Sequence, residues 1–355
     1  MRILFLNRRD TVNPLGGGAE IYTHEMAKRL VANGDEVDLF TMAFPDCAKE
    51  EVIDGIRHIR AGSEFGVHYR GFIYAFKHRR HYDLIVDEFN GIGFGGFLFR
   101  KGMLLIHQMY REFWFRELGI LGALPYIIEP INLWLYRKQP AITVSRSTAT
   151  DLEAIGFNNV HIVKNAIEAL PVDETVTKEP DPTLLFLSRL RSTKKPEDAI
   201  RIYQRVKKSV PNLKLWFVGR GPEEEKLHAL AADDRDITFL GFVEEAKKYE
   251  IYKRAHIIVV PGVREGWGMN VTEAASQGTP AVGYNVPGLR DSIRDKKTGL
   301  LASGIEDAAE KVLMLLNDKE LYAQYSSNCI EDVKQFNWHN RAEEFRKIIE
   351  GLERR

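Results

Sequence analysis

Short apolar runs alternate with segments of helical period from one end of this 355-residue chain to the other. That alternation leaves few folds open. A strand buried on both faces reads as a continuous apolar run, and parallel neighbours need a helical crossover between them, so the pattern specifies parallel sheets clad in helices. In the first half, residues 3–6, 36–40, 84–86, 103–106, 142–144 and 161–163 read as strands; in the second, 184–187, 213–218, 237–240, 257–260 and 280–284. Each set suffices for a doubly wound sheet, and the length exceeds what one core serves. Residues 170–182 are rich in proline and charge, lack periodicity, and read as the linker. The expected domains are 1–169 and 183–336. Phe345, Ile348, Ile349 and Leu352 give the tail 337–355 one apolar helical stripe, able to pack on either half.

Fifty basic and fifty acidic residues cancel. A zero net charge argues against general nucleic-acid binding, which needs a basic surplus, and no nucleic-acid partner is expected. Cys47 and Cys329 have no C-x-x-C partner, so a reducing, cytoplasmic compartment is expected, without disulfide or zinc. The opening MRILFLNRRD reads as a buried strand, not a signal peptide. Residues 118–135 come nearest to a membrane span, but Pro125, Glu129 and Pro130 interrupt them, so none is expected. The basic stretch 57–81, with Arg70, Lys77, Arg79 and Arg80 among Phe72, Ile73, Tyr74 and Phe76, reads as a helix face. It is either solvated or in peripheral contact with anionic lipid at the inner membrane face.

The most informative segment follows residues 257–260. Pro261 and Gly262 lead into Glu265-Gly-Trp-Gly-Met-Asn-Val-Thr-Glu273, a glycine-bearing turn that opens a helix. Free N–H groups at such a helix start form an anion site suited to a diphosphate. Glu265 in the turn and Glu273 about one turn into the helix can accept hydrogen bonds from sugar hydroxyls on either side. A plain glycine turn with dipole-favoured acids would look the same.

The stretch from Glu265 through Gly278-Thr-Pro-Ala-Val resembles the E-x7-E signature of retaining glycosyltransferases of family 4, whose fold is GT-B: two Rossmann-like domains facing across a cleft. Gly16-Gly-Gly-Ala-Glu20 resembles the family's glycine-rich loop. Ser145-Arg-Ser-Thr-Ala-Thr-Asp151 and Lys164-Asn165 resemble the end of its first domain. Ser188-Arg189-Leu190 with Lys194 resembles its basic donor-phosphate pair, and Phe239-Leu-Gly-Phe-Val243 the strand preceding the base-reading backbone. The resemblance implies these roles: Arg189 and Lys194 hold the donor diphosphate, Glu265 contacts the transferred sugar, and Glu273 holds the ribose. Gly266, Trp267, Gly268, Met269, Asn270 and Val271 supply backbone around the donor. Phe242 and Val243 lie near the base, and Gly16, Gly17 and Gly18 close over the phosphate. His107 falls where the family often places a histidine facing the reacting carbon, with Gln108, Arg111 and Glu112 toward the acceptor. Asn165-Ala166 departs from the family's Asn-Gly, and alanine disfavours positive φ there.

The implied activity is metal-independent, cofactor-free transfer of a hexose, from a UDP-sugar by preference and GDP-mannose otherwise, to a glycan, lipid-linked or small-molecule acceptor. The implied mechanism is front-face attack, with the leaving group stabilised by Arg189, Lys194 and the helix N-terminus. Gly91-Ile-Gly93-Phe-Gly-Gly96 matches G-x-G-x-x-G outside the first βα unit, and reads as a turn into a helix. Asp234-Arg-Asp236 mimics D-x-D but reads as solvated surface. Two rivals remain: a sugar-nucleotide epimerase of the same architecture, and a non-catalytic nucleotide- or glycan-binding module.

Overall fold

The computed structural model describes residues 1–168, 177–232 and 234–353. The chain forms two compact α/β units. The first comprises Met1–Trp114, Ile120–Ala166 and the segment from Trp338 onward; the second comprises Phe115–Gly119 and Ile167–Asn337.

The first unit runs β1 (Arg2–Leu6), α1 (Gly18–Ala32), β2 (Glu36–Thr41), β3 (Glu50–Ile53), β4 (Ile56–Arg60), α2 (Val67–His78), β5 (Leu84–Glu88) and β6 (Gly102–Ile106). It continues through α3 (Glu112–Leu118), α4 (Ala123–Tyr136), β7 (Ala141–Thr143), α5 (Arg146–Ile155) and β8 (Val160–Ile162). The sheet order is β3-β4-β2-β1-β5-β6-β7-β8, parallel except for the β3–β4 hairpin. Winding reverses between β1 and β5.

Register shows what covers each face. Leu6 pairs with Asp87, and Asp87 with Leu104, so all three point the same way. Leu6 packs among Val67 and Ala75 of α2, and Leu104 among Leu133 and Tyr136 of α4. Both helices therefore cover one face. On the other, the buried Phe345 ring stacks on Phe5 with centroids 6.2 Å apart.

The second unit starts with β9 (Thr183–Leu187), α6 (Pro196–Lys207), β10 (Lys214–Val218), α7 (Glu224–Ala231), β11 (Ile237–Gly241), α8 (Glu245–Arg254), β12 (Ile257–Val260) and α9 (Met269–Ser276). Then come β13 (Ala281–Tyr284), α10 (Leu289–Ser292), β14 (Gly299–Ala302), α11 (Ile305–Asn317) and α12 (Lys319–Val333). Finally α13 (Trp338–Glu353) belongs to the first unit, where it lies against α1. The second sheet is parallel, ordered β11-β10-β9-β12-β13-β14, and reverses between β9 and β12.

Several expectations need correction. Residues 57–81 are not one helix face: Arg57 and Arg60 sit on β4, and helix begins only at Val67. The hairpin β3–β4 escaped notice because a short, acidic edge strand lacks an apolar run; β14, Gly-Leu-Leu-Ala, is apolar but only four residues long, and escaped too. Nor do the prolines break residues 118–135. Residues Glu112–Tyr136 run without a gap through α3, a 3-10 turn (Gly119–Gly122, with Gly119 at φ +57°) and α4, 25 residues long and apolar enough by length and composition to cross a membrane. Pro125 lies in the first turn of α4, where its missing N–H costs nothing, and Glu129 turns inward.

Of the expected linker, residues 170–176 lie outside the described residues. Residues 177–182 carry no helix or strand and are tied to the second unit. There the Lys178 ammonium donates to Ala255 O and Thr279 Oγ1, both at 2.6 Å, and burial lowers its pKa to about 7. Ala166 is buried and is not among the residues of positive φ.

Phe345→Ala should destabilise the first unit by about 3–5 kcal/mol, the usual cost of deleting a buried ring. Urea unfolding followed by circular dichroism checks this.

Candidate functional site

In an open parallel sheet, ligands bind at the carboxyl ends of strands where the winding reverses, because no crossover covers that point. In the second unit this is the gap between β9 and β12. The loop after β9 turns through Ser192–Lys194 as one 3-10 turn, and Lys195 at φ 48° starts α6 just before Pro196. The loop after β12 carries Glu265. The two loops are stitched by Val263 N–H donating to Thr193 O at 3.0 Å, and by the Lys194 ammonium donating to both Glu265 oxygens at 2.6 Å. Arg189 stands exposed at the head of the first loop. Gly288 allows the second loop its path: at φ +84°, a β-carbon there would sit 2.0 Å from Glu265 O.

Gly268, at φ +90°, is the N-cap of α9 and offers no side chain to cap the first-turn N–H groups. Met269 and Asn270 begin the helix half-buried, and Asn270 Nδ2 donates to Leu187 O at 2.9 Å, pinning α9 to β9. Glu273 is buried. Its carboxylate accepts from Tyr252 OH at 2.8 Å and lies 3.0 Å from Lys248 Nζ. Trp267 and Val271, expected at the donor, turn their side chains into the core; Trp267 is 1% exposed and packs edge-on against Phe336. Only their backbone remains for a ligand, since indole and isopropyl groups gain more from burial. Gly266 is half-buried beside them. After β11, Phe242 projects into solvent at 78% exposure, and Val243 is half-buried against the core.

The first unit has its own reversal point, between β1 and β5. Asn7 ends one side, with its Nδ2 buried and unpartnered; Glu88 ends the other, with Oε1 held by Thr23 and Oε2 buried without a partner. Burial raises the Glu88 pKa well above the ordinary carboxylate range, the nearby Glu20 and Asp87 adding to it. His107 follows β6. Its Nε2 is likewise buried and unpartnered, its ring meets Tyr22 edge-on at 5.1 Å, and burial lowers its pKa to about 4. It is therefore a neutral imidazole with an open nitrogen, suited to a hydroxyl. Gln108 Oε1 and Asn165 Oδ1 are also buried and unpartnered. Arg111, at φ 42°, has its guanidinium 5.5 Å from the Tyr126 ring centre, while Glu112 is exposed.

Gly16 is packed so closely that a β-carbon would meet Asp10 O at 2.9 Å and Asn13 O at 3.0 Å. Asp10 anchors this loop from inside. Burial alone would raise its pKa, but hydrogen bonds from His58 and Arg60 outweigh that and lower it. Gly17 is the N-cap of α1, in an extended conformation, and its N–H is taken by Glu20 Oε2 at 2.7 Å; Gly18 opens the helix. A phosphate expected at this loop would meet a carboxylate already seated there.

The two decoys have structural work. Asp87 fills the Gly91–Gly96 turn, accepting from Phe94 N, Gly96 N and Tyr136 OH, so no room remains for phosphate; the turn leads into a single 3-10 turn, Gly96–Leu98. Asp234 accepts from Tyr203 OH, and Asp236 from Lys207 Nζ. Among the described residues no group of three or more His, Cys, Asp or Glu could hold a metal ion. Sequence reading missed Asn7 and Glu88, and also Gly219 and Gly221 after β10, where a β-carbon would lie 2.0 Å from Ser188 O and 2.3 Å from Leu190 O. The Gly-Arg-Gly after an apolar run was the signal for that pair. Lys248 and Tyr252, which hold Glu273, left no sequence trace.

Residues 16–169 match the model of "Glycosyltransferase Family 4", and residues 172–332 that of "Glycosyl transferases group 1". The trehalose synthase of Thermococcus litoralis is 32% identical over 180 residues, 47% of this chain and 44% of that one. The chain thus matches less than half the length of that relative. Among solved structures, sucrose-phosphate synthase from Thermosynechococcus elongatus superposes with a TM-score of 0.84 at 20% identity, covering 99% of this chain and 98% of that one. The Anabaena Alr3699/HepE protein in complex with UDP-glucose does so with a TM-score of 0.74 at 16% identity, covering 99% and 100%. At these identities both show a shared fold.

The buried histidine sets a pH dependence. His107 titrates near 6.5 when unfolded but near 4 when folded, so the unfolded chain takes up the proton first. The His107 contribution to stability should fall as pH drops from 6.5 toward 4 and then level off, while Glu88, Asp87 and Glu129, whose pKa values burial raises, act in the opposite direction. Relative to the wild type, His107→Gln should lose this part of the fall, while His68 and His256, shifted the same way, keep theirs. Denaturant unfolding across that pH range reads both slopes.

Proposed function

Because the chain belongs to the GT-B glycosyltransferases of family 4, we propose that it transfers a hexose from a UDP-sugar to a hydroxyl acceptor with retention of configuration. The observation that carries this is the Lys194–Glu265 pair at the β9–β12 reversal point, beside the uncapped start of α9. A diphosphate leaving group gains negative charge as the glycosidic bond breaks. Cations and helix N–H groups fixed beforehand stabilise that charge without having to reorganise. In this reading Arg189 and Lys194 take the diphosphate, Glu265 turns a carboxylate oxygen to a sugar hydroxyl, and Glu273 receives the ribose. For Gly16, Gly17 and Gly18 to approach the phosphate, Glu20 must first release the Gly17 N–H.

The acceptor oxygen attacks from the face the leaving group departs from, and its proton passes to a donor phosphate oxygen. No carboxylate nucleophile and no metal is required, because the cationic groups carry the charge. His107, neutral and with an open nitrogen, orients a hydroxyl near the reacting carbon. Uridine is favoured over guanosine because a protein of the same fold, Anabaena HepE, is solved with UDP-glucose. In this reading the base is read beside Phe242 and Val243, and the acceptor by Gln108, Arg111 and Glu112. By the same reading the protein works in the cytoplasm, a reducing compartment that suits its two free cysteines.

Lys194→Ala should lower turnover about 10²–10³-fold, the range for deleting one fixed charge-stabilising donor. UDP release from a panel of UDP- and GDP-sugars measures it. Gly288→Ala should lower it too, by displacing Glu265. The anomeric coupling of the product, read by NMR, should match that of the donor, and a chelator should leave the rate unchanged. Inversion, a strong chelator effect, or sugar interconversion without nucleotide release would each sink the proposal.

A further inference from the structure

Helix α4 is built inside out for a water-soluble surface. Leu124, Ile127, Ile128, Ile131, Trp134 and Leu135 recur at i, i+3, i+4, i+7, i+10 and i+11, a single stripe, and every one is exposed. Ile120 and Leu121, just before the helix, extend the stripe at 88% and 75% exposure. The opposite side is apolar as well: Leu133 and Tyr136 are buried against β6 and β7. The only acid from residue 118 to 138 is Glu129, and it is turned inward. There it accepts from Tyr110 N at 2.6 Å and Arg111 N at 2.9 Å, and burial raises its pKa. The outward face thus carries no charge, and an apolar patch of this extent marks an interaction site.

What surrounds the patch identifies the partner. Arg137 and Lys138 follow the stripe directly, the Arg137 guanidinium lying 3.4 Å from the Trp134 ring centre. Gln139 donates to Phe97 O and Phe99 O, joining this end of α4 to the 3-10 turn with its exposed Leu98. Phe99 in turn packs on Phe72 of α2, with centroids 5.9 Å apart. Helix α2 lies on the same sheet face. From Arg70 to His81 this helix and the turn after it have no acid, and Arg70, Lys77, Arg79 and Arg80 are exposed.

An uncharged apolar stripe with its arginine-backed interfacial tryptophan, and an acid-free basic helix alongside, are the two signals that stable attachment to an anionic bilayer needs. We propose that this face of the first unit docks on an anionic membrane, with α4 lying in the interfacial plane. The helix does not cross the bilayer, because its inner side is packed on the sheet and cannot be surrounded by lipid. If the chain is the transferase proposed above, the acceptor is then lipid-linked.

The test uses the full chain without donor, sedimented with vesicles of phosphatidylcholine alone or mixed equally with phosphatidylglycerol. The wild type should pellet with the anionic vesicles, and less so as salt rises. Lys77→Glu/Arg79→Glu/Arg80→Glu should weaken binding about a hundredfold at low salt. Leu124→Glu/Ile127→Glu/Ile131→Glu should abolish it while keeping the wild-type circular dichroism and melting profile. A wild type that stays in the supernatant overturns the proposal. So does a dimer in solution that the apolar variant makes monomeric, with no vesicle affinity, since the face would then be covered by a second copy. UDP release in solution is scored separately, so either idea can fail alone.

Discussion

A right-handed crossover carries the chain to one side of its starting strand, and a sheet wound first one way and then the other must have a point where no crossover passes overhead. Both sheets here have such a point, between β1 and β5 and between β9 and β12. Polar groups able to meet a ligand lie at or beside both points. In the second unit they are a lysine and a carboxylate locked together beside an uncapped helix start. In the first they are Asn7, Glu88 and His107, each with a buried atom that has no partner. Such atoms are costly, commonly about 1–3 kcal/mol each, and their clustering at a strand-end opening points to a polar ligand that satisfies them.

The supporting residues explain why these groups stay in place. Asp10, buried and held by Arg60 and His58, fixes the loop that presents Gly16. Tyr252 and Lys248 fix Glu273, and Asn270 fixes α9 to β9. Glycines at 268 and 288 take backbone angles that a β-carbon would strain or forbid. Elsewhere the same chemistry is spent on structure: Asp87 occupies the turn that formally matches a dinucleotide fingerprint, much as a phosphate would.

Much of this was legible from residue order. The apolar runs located most strands to within a residue or two, because a strand buried on both faces has no other way to be written. The carboxylate segment and the basic pair after β9 were legible because glycine-bearing turns and charge at strand ends are local features. What stayed hidden was long-range. Glu88 looks like the polar end of any strand, and only the fold shows its second oxygen sealed without a donor. Trp267 reads as donor-site backbone, and only the fold shows its ring packed on Phe336.

The sequence by itself determined two doubly wound units and the position of an anion-binding turn, since hydrophobic period and glycine placement act over a few residues. Tertiary structure alone decided which charges meet, which are spent and which face stays bare. Lys194 reaches Glu265 across 71 residues. Glu129, which in sequence interrupts an apolar stretch, turns inward to backbone N–H groups and leaves α4 uncharged toward solvent. Burial and hydrogen bonding depend on neighbours distant in the chain, and no local pattern records them.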